Sequence, residues 1–157
     1  MQANSSKTKT ILLAGFIAGT LDALGATIVY CLVMKVVTVT QLFHGISSGL
    51  FGDTIIDSEN TMAIIGLLLH YFIAFCFATA YFLMYPHLPF LKRNAFINGL
   101  LYGIIVWIIM NLVVVPLSHA HHSSPTWSGF LRGVSILMVC IGLPISFMTT
   151  SFYKRKM

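Results

Sequence analysis

The sequence predicts an all-α integral membrane protein: a four-transmembrane-helix bundle with a short interfacial helix in its first external loop. Three observations carry this. Hydrophobic residues make up 57% of the 157-residue chain and charged residues only 8%, against roughly a quarter charged in a soluble domain. Four apolar stretches, residues 11–34, 62–85, 95–115 and 130–152, each reach the ~20 residues that a helix needs to cross ~30 Å of hydrocarbon. The cations are also segregated. Lys7 and Lys9 precede the first span, Lys92 and Arg93 lie between the second and third, and Lys154, Arg155 and Lys156 follow the fourth. The alternate loops hold Asp53, Asp57 and Glu59 and almost no Lys or Arg, which is the positive-inside pattern with both termini cytoplasmic. The formal net charge of +5 is thus a topology signal. The expected partner is the lipid bilayer, and no nucleic acid is implied.

Residues 1–10 are small and polar and read as a short cytoplasmic tail. Lys7 and Lys9 ahead of an apolar run also fit the start of a signal peptide, but the run continues past a poor cleavage region at 23–26 to Met34, which favours an uncleaved span. In the first external loop Phe43, Ile46 and Leu50 recur at helical spacing with His44, Ser47 and Ser48 between them, the pattern of a short amphipathic helix on the outer interface. Gly45, Gly49 and Gly52 weaken that helix. Asp57, Ser58 or Asn60 is placed to cap the second span.

Pro86 and Pro89 end the second span and Lys92-Arg93-Asn94 opens the third, so the two form a tight antiparallel hairpin. Pro116 ends or kinks the third span. The loop that follows carries His119, His121 and His122, with Trp127 as an interfacial anchor. Pro144 implies a kink in the fourth span, tolerable where neighbouring helices satisfy the freed carbonyl. Cys31, Cys76 and Cys140 fall inside spans and are expected to be dispersed thiols. The whole chain reads as a single transmembrane domain.

Helices associate in lipid through small residues and a few polar ones, since apolar side chains gain little by leaving the acyl chains. Gly15, Gly19, Asp22 and Ala26 share one stripe of the first span. The second span aligns His70, Ala74, Phe77 and Tyr81. The third carries Gly99 and Gly103, continued by Trp107 and Asn111, and the glycine faces of the first and third spans suit self-association into a homo-oligomer. The fourth shows a seam at Ser128, Arg132, Ser135, Val139, Gly142, Ser146 and Thr149. At ~1.5 Å per residue Asp22 lies ~17 Å from the inner end of its span and His70 ~12 Å from the outer end of its own, both near mid-depth. Asn111 and Arg132 lie higher. Asp22, His70, Asn111 and Arg132 therefore read as a polar track leading from outside to Asp22.

An unpaired carboxylate at the centre of a span costs about 2.5–3.5 kcal/mol or more, so Asp22 is the position most in need of a reason. An imidazole beside it makes an ion pair or shares a proton, as in the relays of transporters. The plainer alternative has Asp22 bonding hydroxyls such as Thr20, Thr27 or Tyr102 and His70 donating to a backbone carbonyl, all as helix glue. Arg132 either snorkels to the headgroups or turns inward toward Asp22 or an anion. His119, His121 and His122 have the side chains a transition metal prefers, but H-x-H-H matches no strong zinc motif. No H-E-x-x-H, G-x-S-x-G, phosphate loop or haem-attachment motif is present, so neither an enzyme nor a cofactor is expected.

His70-x-x-Ile-Ala-x-x-Phe77-Ala78-x-x-Tyr81, then Pro89, Gly99-x-x-x-Gly103 and Pro116, preceded by Ala18-Gly19, resembles the YagU-type small inner-membrane proteins of bacteria over residues 15–116. The resemblance implies four helices in a bacterial inner membrane. It assigns no role to Asp22, which lies outside the pattern, and no catalytic residue. Three functions follow as expectations: a small proton- or ion-linked permease or transport accessory built on Asp22 and His70, a non-transporting scaffold, or a metal-binding membrane protein using the external histidines.

Overall fold

The computed structural model describes residues 6–52, 58–119 and 126–155, and all regular structure among them is helical. Five helices follow one another: α1 (Lys7–Val33), α2 (Val39–Phe51), α3 (Glu59–Met84), α4 (Ala95–Leu117) and α5 (Trp127–Lys154). All but α2 are long and apolar enough to cross a membrane. They run alternately up and down, so both termini share one end of the bundle, the terminal end, and the 34–58 and 118–126 connections share the other, the loop end.

Local chemistry sets the boundaries. Ser58 accepts from the Thr61 amide to cap α3, Asn94 accepts from Phe96 and Ile97 to cap α4, and Thr126 accepts from Gly129 to cap α5. Ser58 is one of the three caps expected for α3. The α3–α4 hairpin turns through a short 3-10 helix, Pro89–Lys92, and the Asn98 side chain donates to the carbonyls of Phe90 and Leu91, tying the turn to α4.

Three of the long helices contain a π-helical stretch: Thr27–Val33 in α1, Met110–Val114 in α4 and Met138–Gly142 in α5. Two of these precede a proline. Pro116 and Pro144 have no amide to offer the carbonyls of Leu112 and Cys140 four residues back, and the widened turn lets other amides take up the ladder. The stretch in α1 holds no proline.

The bundle places small residues inside and large apolar ones outside. Gly15 packs on Phe75, and Gly19 on Tyr71 and Ala74, joining α1 to α3. Gly99 meets the backbone of Gly142, and Gly103 lies on the backbone of Met138, joining α4 to α5. The glycines expected to serve self-association are thus occupied by helices of the same chain. Leu12, Phe16, Leu68, Phe72, Leu101 and Val139 all face outward, as an apolar solvent permits.

At the terminal end the core is polar-aromatic. The Ser146 hydroxyl donates to the Ala95 carbonyl at 2.8 Å, so the Tyr81 hydroxyl, also 2.8 Å from Ser146 Oγ, must be the donor in their bond. Tyr102 donates to the Phe77 carbonyl and packs edge-on against Tyr81, while Tyr85 stacks on Tyr153. One turn closer to the terminal end than Tyr81 and Ser146, the hydroxyls of Tyr85, Thr149 and Thr150 are buried with no partner among the described residues.

The expected helix over Phe43 to Leu50 forms, opened by a capping box between Thr38 and Gln41. It runs back along α3: the backbone of Phe43 lies on Gly66, and the Phe43 ring meets His70 edge-on. Its buried residues are Ser47 and Ser48, each bonded to a carbonyl three residues back, whereas Leu50 is exposed. The His119 amide donates to the Gly49 carbonyl and ties the chain after α4 to this helix.

A side chain at Gly103 has no room against the Met138 backbone, while Gly45 faces open space. Gly103→Ala is expected to lower stability in detergent by about 1–3 kcal/mol through overpacking. Gly45→Ala should be neutral or raise stability by up to about 1 kcal/mol through helix propensity. Thermal unfolding of the two variants beside the parent checks both.

Candidate functional site

Asp22 sits where the interior stops being tightly packed. On one side lies α3, whose His70 Nε2 is 2.9 Å from the Gly19 carbonyl and 4.0 Å from Asp22 Oδ2. A carbonyl only accepts, so Nε2 carries the proton and donates it to Gly19. The carboxylate at 4.0 Å is beyond hydrogen-bond range and interacts with the ring through charge alone. Transfer of a proton between them requires a rotamer change or a bridging water. Both side chains are about 15% exposed, at 14% and 15%.

The hydroxyls considered as partners for Asp22 are engaged elsewhere. Thr20 donates to the Phe16 carbonyl and receives the Tyr71 hydroxyl, and Tyr102 is bonded to Phe77. Asp22 makes no hydrogen bond to a described residue. The expected backbone bond of His70 is present, and its ring lies 4.0 Å from the Asp22 carboxylate.

On its other side Asp22 faces a cavity of about 400 Å3 lined by α1, α4 and α5, extending toward the loop end past Tyr30, Asn111 and Thr126. Trp107 and Phe130 form a corner of its wall, with centroids 4.7 Å apart and planes at 86°. Trp127 stacks on the back of Phe130. Gly133 admits the indole: a Cβ there would lie 2.9 Å from Trp107 Nε1. The Asn111 amide donates to the Trp107 carbonyl one turn back.

The π-helical stretches cluster here. Tyr30 and Asn111 lie within two of them, and Leu137 borders the third. In α5 the insertion has a direct consequence. The seam expected at Ser128, Arg132, Ser135, Val139, Gly142, Ser146 and Thr149 holds only from Gly142 onward, where all three residues are buried. Upstream, the cavity is lined by Gly129, Gly133 and Ile136 instead, each one residue later, while Ser128, Ser135 and Val139 are exposed. A π turn adds one residue and rotates the preceding helix by about 100°.

Arg132 is rotated away with them. Of the two positions considered for it, snorkelling and inward, it does not take the inward one: it does not line the cavity, and among the described residues its Nε is buried without a partner. Of the four residues expected to form a polar track, Asp22 and Asn111 line the cavity and His70 stands behind Asp22. Trp107 was legible as a neighbour of Asn111 on the α4 stripe; Tyr30 and Phe130 had no signal beyond being aromatic.

His119 lies beside Gly52, and the expected metal ligands His121 and His122 lie outside the described residues. No group of three His, Cys, Asp or Glu side chains converges among the described residues. Cys31, Cys76 and Cys140 are free thiols, Cys140 lying against Gly25. No known protein family, curated protein or solved structure matches this chain.

Cavity access is testable with thiol chemistry. In a background with the three native cysteines replaced, Asn111→Cys should react with a membrane-impermeant methanethiosulfonate applied from the loop end. Val139→Cys, on the outward face of α5, should stay unmodified. An Asn111→Cys variant left as unmodified as Val139→Cys would show that the route to Asp22 is closed to water.

Proposed function

We propose that the protein is a small proton- or ion-linked membrane permease or transport accessory, with Asp22 and His70 as the titrating pair and Asn111 on the approach. One observation carries this reading: a carboxylate with no hydrogen-bond partner among the described residues forms the end of a cavity that opens toward one end of a membrane-spanning bundle. A purely structural acid would be expected to bond its neighbours, because each unmet acceptor in hydrocarbon costs free energy that packing does not return. His70 holds a charge partner next to Asp22 while bonded to α1, so a change in the protonation of either residue alters the field at the other.

The basic clusters at Lys7 and Lys9, at Lys92 and Arg93, and at Lys154 to Lys156 orient the terminal end to the cytoplasm. The cavity then opens outward. In this orientation α2 is a half-length helix within the outer leaflet, since it buries two serines against α3 and leaves Leu50 outside. The likeness to YagU-type proteins supports a bacterial inner membrane.

A scaffold is the second reading, favoured by the His70 bond that fastens α3 to the Gly19 carbonyl of α1. The two differ in what Asp22 does. In proteoliposomes with an internal pH dye, the parent should collapse an imposed pH gradient and Asp22→Asn should not, with the thermal melt of the variant unchanged. A parent that carries no protons, or an Asn variant that carries them equally well, would leave the scaffold reading standing.

A further inference from the structure

The walls of the cavity are specific enough to select a ligand by chemistry. Its lining contains one acid, Asp22, and neither Lys nor Arg, because the register shift in α5 has turned Arg132 aside. The same lining contains three aromatic residues, Trp107, Phe130 and Tyr30. An anion would meet an unpartnered carboxylate and the negative faces of the rings. A neutral apolar molecule would bury that carboxylate without a partner. A cation with an apolar body satisfies both surfaces, since ring faces attract positive charge and Asp22 supplies the formal counter-charge.

A bare metal ion is a poor fit, because two of the wall's polar groups, Asn111 and Asp22, are all the oxygen side chains it would find beyond Tyr30 and Thr126. The volume, about 400 Å3, falls within the roughly 300–1,000 Å3 range of small-molecule sites.

We infer that the cavity binds a small organic ammonium, protonated or quaternary, whose charged head lies between Asp22 and the Trp107–Phe130 corner. The inference rests on reading the cavity as an access route, but binding needs no transport and is measured without it. Trp107 and Trp127 are the only tryptophans, and both belong to this wall or its backing, so their fluorescence reports occupancy directly.

Detergent-solubilised full-length protein is titrated with benzyltrimethylammonium and with neopentylbenzene, which has the same shape without the charge. Saturable quenching by the ammonium compound, at least about tenfold tighter than by its neutral isostere, is expected for a site whose counter-charge is desolvated. Asp22→Asn should abolish that preference, leaving the two ligands alike. Trp107→Leu, followed by calorimetry, should weaken the ammonium compound by about three- to tenfold, and Trp107→Phe should restore part of the loss. Equal affinity of the parent for both compounds, or no saturable binding of either, overturns the inference, and the parent measurement stands even if a variant fails to fold. Proton flux in proteoliposomes is read separately. Charge-selective binding without flux keeps the site and removes the permease; flux without such binding does the reverse.

Discussion

Close approach of helix backbones at glycine is the constraint on which the rest of this structure depends. In a bilayer there is little to gain from moving leucine out of lipid, so helices are held by dispersion between surfaces that fit, and by the few polar bonds those surfaces allow. Gly99 against Gly142 and Gly103 against Met138 bring α4 and α5 to backbone contact at the terminal end. Only at that separation does Ser146 reach the Ala95 carbonyl and accept from Tyr81. One to two turns further toward the loop end the same helices are spaced by Trp107 and Phe130, and a cavity opens between them and α1. The packed half and the open half are two outcomes of one rule, small side chains in contact and large ones as spacers.

The π-helical stretches mark the transition between the halves. Without them α5 would carry a continuous small and polar seam, and Arg132 would point where Gly133 now does. Proline makes the insertion inexpensive at two of the three sites, because at Pro116 and Pro144 one hydrogen bond of the regular ladder is already lost. The inserted residue also decides the electrostatics. With Arg132 inside, the cavity that Asp22 borders would carry a guanidinium; with Gly133 inside, the Trp107 indole takes that place in the wall.

Much of this was legible in the sequence because it depends on period and composition alone. The stripes Gly15-Gly19-Asp22 and His70-Ala74-Phe77-Tyr81 needed only a regular helix, and the two do meet, at Gly19 on Tyr71 and at Asp22 beside His70. Depth counting paired the acid with the right histidine for the same reason. Arg132 failed because counting by threes and fours assumes an unbroken α-helix, and one extra residue at Met138–Gly142 moves every upstream position to a new face. Phe43, Ile46 and Leu50 marked α2 as a helix, but its buried side proved to be Ser47 and Ser48. The amphipathic rule assumes that water is the other solvent, and here the small residues face protein. Tyr30 and Phe130 were beyond reach, since aromatic residues in a span have no preference for cavity, core or lipid until the neighbouring helix is in place.

Two polar groups of the bundle interior, Asp22 and Tyr102, show why satisfaction rather than burial separates structural from functional side chains. Tyr102 is 6% exposed and gives its one proton to a carbonyl on α3; its chemistry is complete, and nothing would be gained by adding a ligand. Asp22 is less buried, yet four lone-pair directions on its carboxylate find no donor among the described residues, and the nearest ring nitrogen, His70 Nε2, already points its proton at Gly19. Removing the shortfall within the fold would take a single hydroxyl at the position of Ala26, one turn along α1, which borders the cavity and is small. The fold instead keeps that space open and walls it with rings. An acceptor left unmet beside room for a donor is most economically explained if the donor arrives from outside.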